Sequence, residues 1–398
     1  MITPELIQTV GFIALALTGI IALWLITAYR SRVAAVGNEI NRQTDAPFNP
    51  DPRPAPPAVS IVVVAGDDSA ALEQLLHKLF EQEYPSAEME VIVINDGKNE
   101  NIKDVVTRIK HLEQRPNLRL TFTPSELRNV SHRKLAVSLG VKAAKFPVVM
   151  LLTEQSRLFS NQWLARMAAP FADDNVEVVI GSAMPSVKSD SGMGVRYRSF
   201  VHAFDAAEWL SAALNGRPWR GHRANLAFRR DLFFSSGGFN GALNLRGGDD
   251  DIFVSRICKP DNTRVVVAAQ AHVRYVFPSA RREFKAVRPA RFYSSRNLDK
   301  TERRFFGAAS LLNWLMLLSA VIAAAAGVLL QNWPLVIIPV VILLLAWLII
   351  TLAWRKTFKA LRARPSLLAI PFRLLRLPLT NMRQRYLSRR RKNDYHLF

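Results

Sequence analysis

Three stretches of the chain are almost free of charged residues and long enough to cross a lipid bilayer. The first runs from Leu6 to Tyr29, and the other two, Ala308 to Leu330 and Trp333 to Trp354, are separated by Gln331 and Asn332. At ~1.5 Å of rise per residue, a helix over any of these stretches spans the ~30 Å hydrocarbon core. The pattern predicts one N-terminal transmembrane helix and a C-terminal transmembrane hairpin.

A cleaved signal peptide is the alternative for the first stretch. The residues before it, Met1 to Glu5, carry no positive charge. The apolar stretch is also longer than the apolar region of a signal peptide. Both features favour a retained anchor.

Basic residues flank the three stretches in a consistent pattern. Arg30 and Arg32 follow the first stretch, Arg303 and Arg304 precede the second, and Arg355 follows the third. The N-terminus and the turn inside the hairpin contain no Lys or Arg. Because positive flanks stay on the cytoplasmic side, we expect a multi-pass protein of the inner (plasma) membrane, with its N-terminus outside and its soluble domain cytoplasmic.

The region between the first and second stretches alternates between two kinds of pattern. Short apolar runs predict buried strands, and segments with apolar residues every three to four positions predict helices. The predicted strands are Val59–Val64, Glu90–Ile94, Leu118–Phe122 and Pro147–Leu152, and the predicted helices are Ala70–Glu83, Ile102–Leu112 and Arg133–Ala144. This alternation is typical of an α/β fold with a doubly wound, mostly parallel sheet.

Composition and charge narrow the class of protein. The chain is 49% hydrophobic, which excludes a mostly disordered protein, and its single cysteine, Cys258, excludes a disulfide framework. The net charge is +21, but Arg355 to the C-terminus holds thirteen bases and one acid, and Ala280 to Arg304 holds nine bases and three acids. Most of the excess therefore adjoins the apolar stretches, which favours an anionic membrane surface as partner and argues against nucleic acid.

Ligands of doubly wound sheets bind beyond the carboxyl ends of the strands, and short polar motifs stand at those ends. Further polar and glycine-rich motifs follow in the second half of the domain. In order, the motifs are Ala65-Gly66-Asp67-Asp68, Asn95-Asp96-Gly97-Lys98, Arg133-Lys134-Leu135-Ala136, Leu152-Thr153-Glu154-Gln155-Ser156, Gly221 to Arg230 with Asn225-Leu226-Ala227, Gly237-Gly238-Phe239 and Gly247 to Phe253.

In this order the motifs resemble those of family 2 glycosyltransferases, over about Val59 to Phe292. The resemblance implies the GT-A fold of nucleotide-diphospho-sugar transferases, accompanied here by one N-terminal and two C-terminal transmembrane helices. It also implies a nucleotide-sugar donor and a divalent cation, Mg²⁺ or Mn²⁺, since a diphosphate usually binds with such an ion.

The resemblance assigns donor-binding roles residue by residue. Asp68 and Asp96 would hold the uridine and ribose end, and Lys134 would lie near the diphosphate or pair with acids. Glu154 and Ser156 would occupy the two metal-binding positions of the family's Asp-x-Asp motif. This is the main departure from the family, because glutamate is longer than aspartate and serine is a neutral ligand. The metal site is therefore expected to be weakened, to be reshaped, or to use Glu154 alone with water and donor phosphates.

The resemblance places the acceptor-side candidates in a run of three consecutive aspartates, Asp249 to Asp251. An inverting transferase needs a general base within reach of the acceptor hydroxyl, and Asp250 is the first candidate. Asp249 is the second and Asp251 the third, because the register against the family's acidic motif is ambiguous. The alternative is a helix N-terminus rich in aspartate, which the helix dipole favours.

Processive members of the family carry a Gln-x-x-Arg-Trp motif that grips the acceptor or the donor diphosphate. The corresponding place here reads Arg288 to Phe292, in which Arg291 matches and is a candidate for binding the donor. One apolar stretch before the domain and two after it are few for a polymer channel. The resemblance is therefore to the non-processive type.

These patterns predict six segments and one leading function. The function that the resemblance implies is inverting transfer of a sugar from a nucleotide-sugar, with a UDP-linked donor expected, to a membrane-associated acceptor, a lipid or lipid-linked glycan. The alternatives are a degenerate, non-catalytic membrane scaffold and a nucleotidyltransferase-like enzyme. The segments are a transmembrane anchor over 1–30, a linker over 31–57, the GT-A catalytic domain over 58–278, a basic interfacial segment over 279–304, a transmembrane hairpin over 305–356 and a basic amphipathic tail over 357–398.

Overall fold

The computed structural model contains two compact units. One comprises Met1–Asn38 and Lys300–Gln384, and the other comprises Glu39–Asp299 and Arg385–Phe398. The residues that the structure describes are 3–48, 56–96, 99–124, 129–186, 192–245, 247–276, 288, 292–294, 298, 301–363 and 370–390, and for 301–303 it describes the backbone.

The larger unit is an α/β domain. Its strands are β1 Val59–Ala65, β2 Met89–Asn95, β3 Leu118–Phe122, β4 Val148–Thr153, β5 Ser156–Leu158, β6 Val178–Gly181, β7 Ala183–Ser186, β8 Leu226–Arg229, β9 Thr263–Val266 and β10 Val273–Val276. Its helices are α3 Ser69–Phe80, α4 Asn101–Leu112, α5 His132–Ala143, α6 Trp163–Ala168, α7 Met193–Leu214, α8 Arg230–Ser235 and α9 Ile252–Ile257. Helix α2, Ala35–Asp45, enters the domain from the other unit's first segment.

Seven strands form the main sheet in the order β3-β2-β1-β4-β8-β6-β9. Strands β3, β2, β1 and β4 are parallel, and β8 is inserted antiparallel between β4 and β6. A second sheet has the order β5-β10-β7. This mostly parallel, mixed α/β sheet confirms the predicted fold class, and each of the four predicted strands lies within one residue of its expected bounds.

The continuous apolar runs explain why the centre of the sheet is buried on both faces. All residues of β1 and β2 are buried, as expected of parallel strands that helices cover on each side. Helix α3 buries Leu72, Leu75, Leu76 and Leu79 against this layer. The sheet therefore presents its strand ends as a rigid edge on which polar side chains can be positioned.

Helix continues through the first part of the segment 31–57, whose role as a linker stays a prediction. A π-helical turn at Arg30–Ala34 leads into α2, which ends at Asp45. Gln43 donates to Val265 O at 3.0 Å and accepts from Val267 N at 2.8 Å, and Thr44 Oγ1 accepts from Ala269 N. Polar contacts with distant backbone therefore stabilise this helix, and the local pattern of apolar residues did not predict them.

The smaller unit contains three helices long and apolar enough to cross a membrane: α1 Pro4–Tyr29, α10 Thr301–Leu329 and α11 Trp333–Ala360. Inside this unit Thr18 Oγ1 lies 2.9 Å from Ser319 Oγ, and Asn313 donates to the Tyr29 hydroxyl. Such hydrogen bonds and small residues are typical of helix packing in lipid. Helix α12, Ile370–Arg390, overlaps the predicted amphipathic tail.

One buried amide, Asn225, joins three parts of the α/β domain. Its Nδ2 donates to Ser182 O at 2.8 Å and to Ala271 O at 2.9 Å, and its Oδ1 accepts from Trp163 Nε1 at 3.1 Å. The side chain is fully buried. The asparagine of the Asn-Leu-Ala motif therefore connects β8, the two sheets and α6.

We expect Asn225→Ala to destabilise the domain by about 2–4 kcal/mol, because it leaves buried carbonyl and indole N–H groups without partners. The measurement is the thermal unfolding of the purified full-length chain. Asn175→Ala is the control, since Asn175 is exposed in a turn. Equal stability of the two variants would contradict the connecting role.

Candidate functional site

The carboxyl ends of β1, β2 and β4 meet at one edge of the main sheet. Asp96 N donates to Ala65 O at 2.7 Å, and Glu154 N donates to Val64 O at 3.2 Å. The residues that follow these three strands are therefore neighbours in space although they are far apart in sequence. This edge holds four of the predicted donor-binding residues: Asp68, Asp96, Glu154 and Ser156.

Asp68 is exposed and caps helix α3. Its Oδ1 accepts from Ala71 N at 2.9 Å, which satisfies one of the free amides of the first helical turn. The preceding Asp67 carbonyl accepts from Asn99 Nδ2 at 2.8 Å. The capping bond fixes the loop after β1 and places an acidic side chain at its surface.

Asp96 follows β2 and is half-buried. Its Oδ1 lies 3.2 Å from Thr123 Oγ1 and 3.7 Å from His132 Nδ1. Burial raises the pKa of Asp96, while Thr123, His132 and Arg133 act in the opposite direction. The carboxylate is therefore held at the sheet edge by a hydroxyl and by bases of helix α5.

Glu154 turns back onto the loop after β1. Its Oε2 accepts from Gly66 N at 2.6 Å, and burial raises the pKa of its carboxyl. Ser156 is fully buried at the start of β5, where its Oγ accepts from Thr153 N at 3.1 Å and lies 3.2 Å from Thr153 Oγ1. The Glu154 carboxylate thus satisfies a main-chain N–H of the loop after β1, and the Ser156 hydroxyl satisfies one of its own turn.

These two residues do not fit a divalent cation. Such ions bind several carboxylate or carbonyl oxygens, but Ser156 is neutral and bound within its turn, and Glu154 is bound to a main-chain amide. Within the described ranges, no group of three or more His, Cys, Asp or Glu side chains could hold a metal ion. The contacts of Glu154 and Ser156 favour the expected weakening of the metal motif, which stays a prediction.

Lys134 lies in helix α5 and is almost completely buried. Its Nζ donates to three main-chain carbonyls, Ala242 O at 2.5 Å, Leu245 O at 2.7 Å and Gly247 O at 2.5 Å. Burial lowers the pKa of Lys134 to about 8, and the nearby aspartates oppose this shift. An ammonium group has three N–H donors, so these contacts account for all of them. The contacts favour a role in holding the loop before α9, and the donor-binding role stays a prediction.

The three consecutive aspartates have different surroundings at the start of α9. Asp249 accepts from Arg133 Nε at 2.8 Å and from Arg223 Nη2 at 3.0 Å. Asp250 Oδ2 lies 3.4 Å from Arg220 Nη2 and 4.0 Å from Arg223 Nε. All three aspartates are buried. The cations offset the cost of removing these carboxylates from water.

Asp251 has the helix-capping role that the alternative interpretation expected. Its Oδ1 accepts from Ile252 N at 2.7 Å, and its Oδ2 accepts from Ser294 Oγ at 2.5 Å. Burial and the neighbouring Asp250 raise the pKa of Asp251. Of the three candidates, Asp251 is therefore the one most closely bound to its own helix.

The arginines of this cluster are the residues that sequence reasoning missed. Arg133 and Arg223 belong to motifs already singled out, and Arg220 directly precedes one of them, yet the motifs alone gave these arginines no role. The available signal was that Arg220 and Arg223 stand within four residues of each other in the sequence. Arg291 and most of the basic segment over 279–304 lie outside the described residues.

Residues 56–293 match the sequence family described as glycosyltransferase-like family 2. This match covers more than half of the chain, so the chain belongs to this family and is a glycosyltransferase. A search of curated proteins found no match.

Three of the solved structures to which this chain is similar are the following. A mannosyltransferase of Pyrobaculum calidifontis, in complex with GDP-Man and Mn²⁺, is 19% identical over 86% of this chain and 99% of its own, with a TM-score of 0.48. GalNAc-T7 with UDP, GalNAc and Mn²⁺ is 15% identical over 63% of this chain and 52% of its own, with a TM-score of 0.41. TarS of S. aureus is 15% identical over 76% of this chain and 54% of its own, with a TM-score of 0.40.

We expect Lys134→Met to destabilise the ligand-free chain by about 3 kcal/mol or more, because three buried carbonyls lose a charged donor. The matched control is Lys142→Met, which changes an exposed residue of the same helix. Thermal unfolding without ligand is the measurement. If Lys134→Met left the unfolding temperature unchanged and weakened only the binding of UDP, the loop-holding role would be wrong.

Proposed function

We propose that the protein transfers one sugar from a nucleotide-sugar, UDP-linked, to a lipid or lipid-linked glycan acceptor, with inversion at the anomeric carbon. The observation that carries the proposal is that one domain holds two separate groups of acidic residues. Asp68 and Asp96 mark the sheet edge, and Asp250 lies in a separate cluster at the start of α9. A donor and an acceptor each require a polar group of this kind.

On the donor side, Asp68 and Asp96 would receive the nucleoside. Carboxylates accept hydrogen bonds from ribose hydroxyls and from the uracil N–H. Both residues are fixed by bonds to neighbouring elements, namely the α3 cap and Thr123. Such prior ordering lowers the entropic cost of binding. Glu154 and Ser156 stay predicted donor-binding residues, Arg291 stays a candidate for the diphosphate, and we assign no step to Mg²⁺ or Mn²⁺.

On the acceptor side, Asp250 would act as the general base. It would take the proton of the acceptor hydroxyl while that oxygen bonds to the anomeric carbon. The bond from this carbon to the diphosphate oxygen would break, and the nucleoside diphosphate would leave with the electron pair. Asp249 is the second candidate, but two arginines already share its carboxylate at hydrogen-bonding distance.

The acceptor class follows from the order of segments along the chain. Helices apolar enough to cross a membrane precede and follow the α/β domain in sequence, and most of the positive charge adjoins them. Basic residues beside spans bind anionic lipid surfaces. This arrangement supports an inner-membrane protein with a cytoplasmic catalytic domain, acting on an acceptor that is itself held in the membrane.

We expect Asp250→Asn to lower the rate of sugar transfer about 100- to 10,000-fold, the range that a general base contributes. The measurement is nucleoside diphosphate release by full-length protein in native lipid, supplied with a panel of UDP-sugars. Asp249→Asn tests the second candidate. Asp174→Asn is the control, because Asp174 is fully exposed.

Two results would overturn the proposal. Wild-type protein that binds no nucleoside diphosphate, with or without Mn²⁺, would favour the scaffold alternative. Release of pyrophosphate in place of a nucleoside diphosphate would favour the nucleotidyltransferase alternative.

A further inference from the structure

The donor diphosphate needs positive charge, and the residues at the expected metal position do not supply a cation site. Glu154 is bound to the main-chain N–H of Gly66 in the loop after β1, and Ser156 is bound to the backbone of its own turn. Positive charge is instead concentrated in the arginine cluster, which we define as Arg133, Arg220 and Arg223. This inference rests on the proposed function and concerns the same site.

Arg133 connects the nucleoside edge of the site to the acidic run. It interacts electrostatically with Asp96 at the end of β2, and its Nε donates to Asp249 at 2.8 Å. A donor whose nucleoside lies against Asp96 and whose sugar faces Asp250 has its diphosphate between these two acids. Arg133 lies at that intermediate position.

Arg223 lies near both the acidic run and the small sheet. It bonds to Asp249 and lies 4.0 Å from Asp250, and it also interacts electrostatically with Tyr275. Tyr275 pairs with Ser156 in the small sheet. Tyr275 is therefore a neighbour of both Arg223 and Ser156, the residue at the second metal-binding position that the resemblance implies.

The exposure and bonding of the two arginines suit an additional anion. The side chains of Arg133 and Arg223 are 20% and 33% exposed, whereas that of Asp249 is 6% exposed. A guanidinium has five N–H donors. In the hydrogen bonds among the described residues, Arg133 uses Nε and a longer contact from Nη2, and Arg223 uses Nη2. N–H donors of both groups thus remain for phosphate oxygens.

The local electrostatics favour the same conclusion. Burial lowers the pKa of Arg133, and the positive charge of Arg223 lowers it further. Two guanidinium groups share one carboxylate at hydrogen-bonding distance, and an approaching phosphate would relieve their mutual repulsion. Arginine is also suited to this task, because its planar fork binds phosphate through two parallel hydrogen bonds.

We propose that Arg133 and Arg223 neutralise the donor diphosphate in this chain, in the role that a divalent cation has at an Asp-x-Asp motif. The negative charge that develops on the leaving nucleoside diphosphate is then stabilised by fixed guanidinium groups. Donor binding is accordingly independent of metal ions.

The test measures the binding of UDP and GDP to full-length protein in detergent, by calorimetry, in excess EDTA and then with Mn²⁺. We expect a wild-type dissociation constant that changes little when Mn²⁺ replaces EDTA. Arg223→Gln and Arg133→Gln should each weaken UDP binding about 10- to 100-fold, the effect of one charge-assisted hydrogen bond. Arg108→Gln is the charge-matched control, because Arg108 pairs with Glu73 on the surface of helices α3 and α4.

A comparison of uridine binding with UDP binding distinguishes the loss of a phosphate contact from a general disturbance of the site. Ligand-observed NMR should show uridine binding unchanged in Arg223→Gln, since uridine has no phosphate. Equal weakening of uridine binding and UDP binding would overturn the inference. Because Arg223 is more exposed than Arg133, the Arg223→Gln variant allows this comparison even if Arg133→Gln fails to fold.

The outcomes also distinguish this inference from the proposed function. Binding of UDP or GDP that requires Mn²⁺ would overturn the role of the arginines and leave the proposed function intact. Absence of binding under both conditions would overturn both.

Discussion

The structure of the candidate site depends on the burial of three consecutive carboxylates at the start of one short helix. Asp249, Asp250 and Asp251 are each no more than 6% exposed, and buried carboxylates are unfavourable unless cations or hydrogen-bond donors accompany them. The chain supplies Arg133 and Lys134 from α5, and Arg220 and Arg223 from the segment before β8. The need to compensate these charges therefore determines which loops must meet.

The residues that surround the buried aspartates also fix the main chain of the neighbouring loops. Lys134 binds the carbonyls of the loop that leads to the aspartates, and Gly221 N donates to Asp250 O at 2.9 Å. Helix α5, the loop before α9 and the segment before β8 thus form one bonded network. Helix α5 packs on β1 and β2, the strands whose ends carry the nucleoside candidates. The sheet that positions the donor side therefore also positions the acid cluster.

The sequence predicted the parts of this arrangement that depend on local pattern. Continuous apolar runs predicted β1 to β4, because strands buried on both faces have few polar positions. The same reasoning could not predict that β8 is antiparallel between β4 and β6, or that Gln43 and Thr44 bind the backbone 222 to 225 residues further along the chain. The motifs singled out these acids as candidates but gave no indication of their partners. The Arg133–Asp249 pair spans 116 residues, and no local pattern encodes a contact over such a distance.

Glu154 at the end of β4 and the three aspartates at the start of α9 have different partners, and the number of buried negative charges explains the difference. At the end of β4 the carboxylate of Glu154 is satisfied by a main-chain amide, so a single negative charge is stabilised by a neutral dipole. At the start of α9 three carboxylates require full positive charges, and the protein must hold guanidinium groups there whether or not a ligand is bound. Groups fixed before the reaction stabilise developing charge without reorganisation. The arginines that allow the aspartates to be buried would thus already be oriented for the electrostatic role proposed above. The stability of the domain and the proposed chemistry would then depend on the same ion pairs.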